Sequence, residues 1–519
     1  MTGQEEFKPA KSANTAGHSI PDAAPALRRW LLLATVGAGV FLITLDNTVL
    51  YTALPRLVVD IGASPTQQLW IVNAYPVVIA GLLLGTGTLG DKIGHRRMFI
   101  AGMSVFGIAS LIAAFAPSPA VLIAARALLA VGAATMMPST LSLIRLTFRS
   151  SKELNLAVGV WASLATISSA LGPIIGGALL EVFWWGSVFL LNIPVVVAAL
   201  ALIGFVAPRE RTDPTKHWDF PSSLLAMAAL VSAVITIKEL AHSPQNWPLI
   251  ATAIVSMLVA GTAFVRRQGR LTQPLITLDI FRAPAFLSGC IGASTALFTI
   301  VGLEYITAQR LQLAEGFSPL QAGLVVATIA AGALLTSVLG GAILSRQGVR
   351  RLISGGLGVA AVGSLLVIVA SLLGATPLLV IAFLLVGVGL GGTMSVASIA
   401  MISGAPSHRA GMASSVEEVS YEFGALTAVA LLGSVVNAVY AATVVVPAGV
   451  SAHAGESLQD AAQVSHHLPE ALGSELIGNA GEAYALATAA TMAIVVVVLA
   501  AASLYTGRIL KGVRVELED

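Results

Sequence analysis

The sequence has few charged residues. Asp, Glu, Lys and Arg make up 10% of its 519 residues and hydrophobic residues make up 56%, whereas roughly 25% of a typical soluble domain is charged. So few polar groups cannot cover a protein of this size in water, which excludes a soluble globular protein. The single cysteine, Cys290, excludes an intramolecular disulfide framework and a thiolate metal cluster.

A strong net charge and clustered histidines are also missing. The net charge is +2 and the basic residues form no patch interleaved with aromatics, so we expect no nucleic-acid partner. All eight histidines fall in tails, loops or helix ends, and the pair His466 and His467 is typical of a solvated loop rather than a metal site. Because the chain has no catalytic cluster and no sizeable polar domain, we expect neither an enzyme nor a bound metal or cofactor.

The chain is instead rich in apolar runs, each of about 20 residues and long enough to cross about 30 Å of hydrocarbon as a helix. Fourteen such runs lie near residues 30–55, 69–89, 98–116, 119–144, 154–180, 187–207, 222–240, 247–265, 286–310, 319–344, 352–374, 377–402, 410–441 and 484–506. The sequence therefore predicts an all-α polytopic membrane protein with fourteen transmembrane helices and both ends on one side.

The positions of Lys and Arg predict which side that is, because short loops rich in these residues stay in the cytoplasm. With both ends inside, 24 of the 28 basic residues fall in the tails or in the even-numbered connections. The four exceptions are Arg56, Arg126, Lys238 and Arg310. The connection 442–482 contains acidic residues but no Lys or Arg, as suits a loop on the outer side.

A repeated pattern divides the chain into related halves. Gly87–Arg97, GTLGDKIGHRR, recurs 254 positions later as Gly341–Arg351, GAILSRQGVRR. Such a repeat is typical of transporters built from two halves around a central site. We predict a disordered cytoplasmic tail at 1–29, a six-helix half at 30–207, a linker at 208–221, an inserted helix pair at 222–265, a linker at 266–285, a six-helix half at 286–506 that includes the outer loop 442–482, and a tail at 507–519.

Ionisable side chains inside the predicted spans are candidates for function, because each costs on the order of +2.5–3.5 kcal/mol on insertion scales. They are Asp46 in helix one, Arg126 in helix four, Glu304 in helix nine, and Glu417, Glu418 and Glu422 in helix thirteen. A carboxyl buried in low dielectric favours its protonated form, so it can hold a proton until a cation takes its place. That exchange is the chemistry of a proton-coupled cation antiporter.

Spacing separates these carboxyls further. Glu418 and Glu422 are four residues apart and share a helix face with Tyr421 beside them, whereas Glu417 points elsewhere. The alternative is that the carboxyls pair with buried donors and only stabilise helix packing, and Arg126 could equally be a structural clamp. Tyr75 and Tyr421 are candidates for cation–π contact with a lipophilic cation, or for ordinary core packing.

Small residues in helix five indicate a contact surface. Gly172 and Pro173, followed by Gly176 and Gly177, predict a kink and a flat face against which another helix can pack closely. Packing alone explains the small residues, and a moving interface explains the proline as well.

These motifs carry a resemblance to a known family. Gly87–Arg97 resembles the loop 2–3 signature of the major facilitator superfamily, and Arg126 with Gly132 resembles its helix-four motif. Gly172–Gly177 resembles the antiporter motif of helix five, and Leu45–Val49 resembles the helix-one motif of the fourteen-helix drug:proton antiporters. Val416–Glu418 with Tyr421 and Glu422 is similar to the QacA-like multidrug exporters. The resemblance runs over most of residues 30–506 and implies the major facilitator fold in a bacterial plasma membrane.

The resemblance also implies roles for particular residues. Asp91, Arg96 and Arg97, in the turn that contains Gly87 and Gly94, would latch the halves together on the cytoplasmic side. Asp46, Glu417, Glu418 and Glu422 would serve proton coupling and the recognition of cationic drugs.

Two positions depart from the family pattern. Asn73 stands where QacA-like proteins usually carry an aspartate, which leaves recognition of divalent cations open. Glu304 stands where an apolar residue is expected, and is a candidate for a replacement charge in a different place.

The expected function is therefore proton-driven export of small lipophilic monovalent cations, such as quaternary ammonium compounds and cationic dyes, by a monomer. Its partners would be these drugs, protons and the lipid bilayer, and the proton gradient would take the place of a cofactor. The same helices could instead serve a proton-coupled exporter of one metabolite or of a self-made antibiotic.

Overall fold

The computed structural model describes residues 25–148, 150–208, 212, 218–241, 245–272, 274–403 and 410–512, with some residues in helices described by their backbone only. Residues 1–24 of the predicted tail 1–29, residues 209–211 and 213–217 of the predicted linker 208–221, and residues 513–519 of the predicted tail 507–519 lie outside this part of the chain. Within it the protein consists of helices and contains no β-strand, as the apolar runs predicted.

The amino-terminal half contains the helices α1 (Ala26–Ile61), α2 (Pro65–Ile93), α3 (His95–Ala114), α4 (Pro119–Thr147), α5 (Ser151–Val182), α6 (Ser187–Leu190) and α7 (Asn192–Val206). The inserted pair is α8 (Phe220–Ala241) and α9 (Trp247–Gln268). A short 3₁₀ turn, Leu278–Arg282, leads into the second half.

The carboxy-terminal half contains α10 (Pro284–Gln309), α11 (Pro319–Leu373), α12 (Thr376–Ser403), α13 (Ala410–Thr427), α14 (Gly433–Thr443), α15 (Leu458–Ser465) and α16 (Glu470–Ile509). Helix α11 is broken at Gly348, where φ is 74°, so its two arms are separate spans. Two π-helical turns, Arg310–Ala314 and Ala428–Leu432, continue α10 and join α13 to α14.

Twelve spans in the described residues are long and apolar enough to cross a membrane. Two further helices, α2 and α5, run for 29 and 32 residues at the predicted positions 69–89 and 154–180. The fourteen predicted spans are compatible with this set.

Matching helix starts reflect the duplication. Ser64 caps α2 and Ser318 caps α11, and in both cases a glutamine three residues later completes a capping box while a proline occupies the first turn. Each box satisfies two backbone groups that a helix start otherwise leaves without partners. The turns before Ser64 and Ser318 contain Gly62 and Gly316, with φ of 64° and 70°, in the left-handed region that glycine adopts without strain. The halves therefore share local structure as well as sequence.

The predicted outer loop 442–482 is largely helical, which corrects the loop prediction. Helix α15 lies within it, and α16 begins at Glu470 rather than near residue 484. Gly473, Leu476, Ala480 and Ala483 form a buried stripe of helical spacing on the first turns of α16. The polar residues between them lowered the average hydrophobicity, so the segment resembled a loop by composition.

The two halves meet closely where α5 crosses α11. Gly177 lies against the backbone of Pro319 and Leu320, and a Cβ at Gly323 would overlap the backbone carbonyl of Pro173. Glycine on both helices therefore permits this crossing. Elsewhere, α8 packs on α2, where Gly81 accommodates Met227, so the inserted pair covers one side of the bundle.

We expect Gly323→Ala to lower the free energy of unfolding by about 1–3 kcal/mol, as overpacking does. The matched control is Gly355→Ala in the same helix, where a Cβ would meet nothing within 4 Å; it should raise stability by about 0.5–1 kcal/mol, because alanine loses less backbone entropy than glycine. Thermal unfolding of the purified variants in detergent measures both. Equal effects of the two substitutions would contradict the close crossing.

Candidate functional site

A buried ion pair occupies the middle of the amino-terminal half. Asp46 of α1 and Arg126 of α4 are 4% and 1% exposed, and the guanidinium donates directly to the carboxylate. Arg126 also donates to Asn47 Oδ1 at 3.1 Å and to the carbonyl of Ile71 at 3.3 Å. Its charge is thus neutralised by Asp46 and its remaining donors are used within the same half.

Asn192 completes this network, and sequence reasoning missed it. Its side-chain amide donates to Asp46 Oδ1 at 3.1 Å and lies 3.0 Å from Ser110 Oγ. Asn192 is fully buried at the start of α7. The signal available was a single amide at the edge of the apolar run 187–207, but only packing reveals its partner. Asp46 is therefore held from two neighbouring helices.

Tyr75 presents one ring face to this ion pair. The Arg126 guanidinium carbon lies 4.8 Å from the ring centroid, within cation–π range. Tyr75 is fully buried and its hydroxyl has no hydrogen-bond partner in the described part of the chain. In this structure, the cation that contacts the ring of Tyr75 is thus Arg126 of the protein itself.

The carboxyls of α13 face the pair from the other half. Glu417, Glu418 and Glu422 are half-buried, unlike Asp46. Glu422 lies within electrostatic reach of Tyr75 and Arg126, and Glu418 within reach of Tyr75 and Glu422. The structure therefore brings Glu418 and Glu422 towards the amino-terminal half, as their shared face suggested.

Glu417 and Tyr421 point differently. Glu417 faces Ser398 of α12 and lies within electrostatic reach of Cys290 of α10, so it looks into its own half. Tyr421 is also half-buried, and its hydroxyl is 3.5 Å from the carbonyl of Met394. Both side chains lie beside Glu418, but they do not point towards the amino-terminal half as Glu418 does.

Asn73 and Glu304 are buried apart from this cluster. Asn73 is fully buried on α2, and neither of its amide atoms has a hydrogen-bond partner among the described residues. Glu304 of α10 is 3% exposed. From the other half, Tyr51 lies within electrostatic reach of Glu304 and also of Arg126 and Glu422. Tyr51 is therefore near both Glu304 and the central cluster.

The repeated loop motif has the same architecture in both halves. Gly94 and Gly348 have φ of 102° and 74°, so each turn requires a residue without a side chain. Arg96 donates to the carbonyl of Gly204 at 2.8 Å, and Arg350 donates to the carbonyl of Gly507 at 2.7 Å. Each arginine thus caps the end of the last helix of its own half, where carbonyls lack partners.

The predicted cytoplasmic latch stays a prediction. The side chain of Asp91 lies outside the described residues, and Arg97 is exposed. Gly87 lies near Pro138 of α4, in the same half.

Hydrogen bonds join the halves at the predicted outer side, and we call this contact the outer seam. Ser318 Oγ donates to Glu181 at 2.6 Å, Gln312 donates to the carbonyl of Thr52 at 2.9 Å, and Gln68 donates to the Tyr305 hydroxyl at 3.1 Å. Together with the α5–α11 crossing, where Gly172–Gly177 packs, these contacts close the outer end of the bundle.

A charged cluster lies in the outer segment that was predicted as a loop. His453 is 3.2 Å from Glu456 and 3.3 Å from Asp460, one carboxylate at each ring nitrogen. The hydrogen bond to Glu456 and the charge of Asp460 raise the pKa of His453, and burial raises the pKa of Asp460. The ring nitrogen of His453 and the carboxylate oxygens of Glu456 and Asp460 that could bind a metal lie within 4.8 Å of one another. The ion pairs account for this arrangement, and we assign no metal site.

Comparison with known proteins places these features in context. Residues 36–425 match the model of the Major Facilitator Superfamily. The multidrug efflux pump LfrA of Mycolicibacterium smegmatis is 37% identical over 487 residues, covering 92% of this chain and 96% of LfrA. The methyl viologen resistance protein SmvA of Salmonella typhimurium is 33% identical over 462 residues, covering 88% of this chain and 93% of SmvA.

A solved structure supports the same fold. The crystal structure of a bacterial homolog of the human lysosomal transporter Spinster matches with a TM-score of 0.68 at 16% identity, covering 95% of this chain and 100% of that one. At this identity the likeness shows the arrangement of helices alone.

Proposed function

This chain belongs to the Major Facilitator Superfamily, and from that premise we propose its function. We propose that it exports lipophilic monovalent cations in exchange for protons. The chain is a multi-pass protein of the cell membrane and a transporter, not an enzyme. The names of LfrA and SmvA, a multidrug efflux pump and a methyl viologen resistance protein, support export of foreign compounds.

The balance of charges around Arg126 is the observation from which we infer a cationic substrate. Because Asp46 neutralises Arg126, the described site offers no free positive charge to Glu418 and Glu422. Two carboxyls four residues apart on one helix repel each other when both are ionised. A site with this imbalance attracts a cation or retains protons, and it repels an anion.

Exchange follows from competition for the same carboxyls. A proton on Glu418 or Glu422 keeps the site near neutral when it is empty. A bound organic cation stabilises the ionised carboxylates and so displaces the proton, and a high proton concentration reverses the step. The half-buried setting lets water and substrate reach these groups, and Tyr421 supplies aromatic surface for an apolar cation.

Stoichiometry decides which part of the proton gradient drives export. Exchange of one proton for one monovalent cation moves no net charge, so the pH gradient alone would drive it, at about 1.36 kcal/mol per pH unit. A second proton would add the membrane potential, about 2.3 kcal/mol per charge per 100 mV.

Whole-cell efflux of ethidium tests the proposal. We expect efflux that stops when a protonophore collapses the gradient, and that falls at least about tenfold in Glu422→Gln, in line with the loss of about one charge-assisted contact. The control is Glu482→Gln, which removes an exposed carboxylate of α16. Efflux that persists with the protonophore would contradict proton coupling.

A substrate panel separates the proposal from its rival. A multidrug exporter should confer resistance to several unrelated cationic dyes and disinfectants, whereas an exporter of one metabolite or antibiotic should ignore most of them. Resistance to none of the cations would favour the rival.

A further inference from the structure

Glu304 is a carboxyl that the central site does not use. It lies on α10 between Leu303 and Tyr305, which are each 1% exposed, and is itself 3% exposed. Its Oε2 atom has no hydrogen-bond partner among the residues that the structure describes. Burying an ionised carboxylate without a partner costs several kcal/mol, so this packing favours the neutral acid.

Two buried arginines of the described residues are already paired. Arg126 is bound to Asp46, and Arg310, six residues after Glu304, lies 2.9 Å from Glu315 and donates to the carbonyl of Ser371. Neither arginine is free to neutralise Glu304.

In the described part of the chain, the other elements around Glu304 offer no free positive charge either. Tyr51 faces it from α1, and beyond Tyr51 lie Glu422 and the paired Arg126. On α10, Tyr305 accepts from Gln68, and on the α13 side Gly302 packs against Leu432 and Ala428. Tyr484 of α16 lies near Tyr305, Tyr440 and the paired Arg310. The titratable groups directly around Glu304 are thus mainly tyrosines, which are neutral at ordinary pH.

The position of Glu304 connects its charge to the outer seam. Tyr305, the next residue, accepts a hydrogen bond from Gln68 of α2, and Gln312, eight residues farther out, donates to the carbonyl of Thr52, next to Tyr51 on α1. Both contacts join the halves, and Glu304 directly precedes the first of them in sequence. If the halves rock about the central site, these contacts part and water reaches the carboxyl.

We propose that Glu304 is a proton-binding site that controls the outer seam: the seam closes over a protonated Glu304 and opens when Glu304 is ionised. A proton from outside binds a carboxylate oxygen while the seam is open and leaves the same way. Because the proton binds one conformation better than the other, it shifts the equilibrium between them.

This role deepens the proposed function and rests on it. Because the proton on Glu304 enters and leaves on the outer side, it is not carried across the membrane, and the protons that drive export are those on Glu418 and Glu422. A seam that closes over a protonated carboxyl makes the return to the inward-open state depend on the outside proton concentration. Glu304 would then set the outer pH at which the transporter turns over, without contacting the exported cation.

Distance measurements between spin labels test the inference. Labels on Asp60→Cys, at the outer end of α1, and Glu475→Cys, on α16, report the separation of the halves, since both positions are exposed. The native thiol is removed by Cys290→Ser. In nanodiscs, the closed-to-open ratio of this background protein should fall with rising pH by up to about tenfold per unit, the limit for one linked proton.

Two substitutions should remove this dependence. Glu304→Gln mimics the neutral acid, and Glu304→Met fills the space without a polar group. Both variants should keep the seam closed from about pH 5 to about pH 9, a range that begins just above the usual pKa of a carboxyl group and includes that of histidine. The control Glu482→Gln removes an exposed carboxylate from α16 on the same outer side and leaves the pair of Arg310 and Glu315 intact, so it should retain the background slope. A slope that survives in both Glu304 variants, or a background with no slope, would overturn the inference.

Cation transport by the same proteins in vesicles separates the two proposals. If the background exports no cation against a pH gradient, the proposed function fails, and the spin-label slope still tests Glu304. If the background exports and the export rate of Glu304→Gln changes with the pH at the outer face as the background rate does, the inference alone fails. The expected result is that, at a fixed pH gradient, the export rate of Glu304→Gln no longer changes with the pH at the outer face.

Discussion

Asp46→Asn should abolish drug-induced proton release from inverted vesicles. Asparagine has nearly the same shape, and its one amide oxygen can still accept a hydrogen bond from Asn192 or from Arg126, so the helices should keep their positions. It removes the charge that neutralises Arg126, whose guanidinium then faces the region of Glu422 as an uncompensated cation. That cation would pair with Glu422 and exclude the drug, so neither binding nor proton displacement would occur.

A second variant distinguishes charge from packing at this site. Asn47→Ala removes the neutral acceptor that Arg126 contacts at 3.1 Å and leaves the ion pair intact, so proton release should persist. Vesicles loaded with a pH-sensitive dye measure both variants after addition of a cationic drug. Undiminished release in Asp46→Asn would show that the ion pair is structural and that the charge of Arg126 does not control the α13 carboxyls.

Much of the fold could be predicted because a bilayer imposes strong rules on sequence. Each span needs about 20 apolar residues, and capping at Ser64 and Ser318 follows local rules that a duplicated motif repeats. The prediction that 442–482 is a loop was wrong because it relied on the same rule. A helix such as α15, stabilised by contacts outside the span, need not be apolar throughout.

The site was less predictable because its partners come from distant parts of the chain. Single charges in apolar runs identified Asp46 and Arg126 as candidates, but their pairing joins residues 80 positions apart and depends on how α1 meets α4. Asn192 carried no charge and so no comparable signal. The hydrogen bond from Arg96 to the carbonyl of Gly204 was missed because nothing in the sequence of the last helix of a half shows which residue packs against its end.

Arg126→Met should cause the largest loss of stability of any single substitution considered for this protein. Arg126 is 1% exposed and bound to a carboxylate that is equally buried. Removing one partner of a buried ion pair leaves the other as an unpaired charge, and such changes cost about 3–5 kcal/mol. The variant should therefore unfold at lower temperature in detergent than Asn47→Ala, which removes only a neutral hydrogen bond.

A double substitution determines whether the pair exists for folding or for transport. Asp46→Leu with Arg126→Met replaces both charges by apolar side chains of similar shape, a change that is often neutral or stabilising in other buried pairs. The double variant should recover most of the stability lost in Arg126→Met. Because it also leaves Glu418 and Glu422 without a resident cation, we expect it to regain the drug-induced proton release that Asp46→Asn loses. A folded double variant without release would mean that the ion pair takes part in transport itself. Regained release would assign the pair to the charge balance at Glu418 and Glu422, which is the condition on which cation exchange depends.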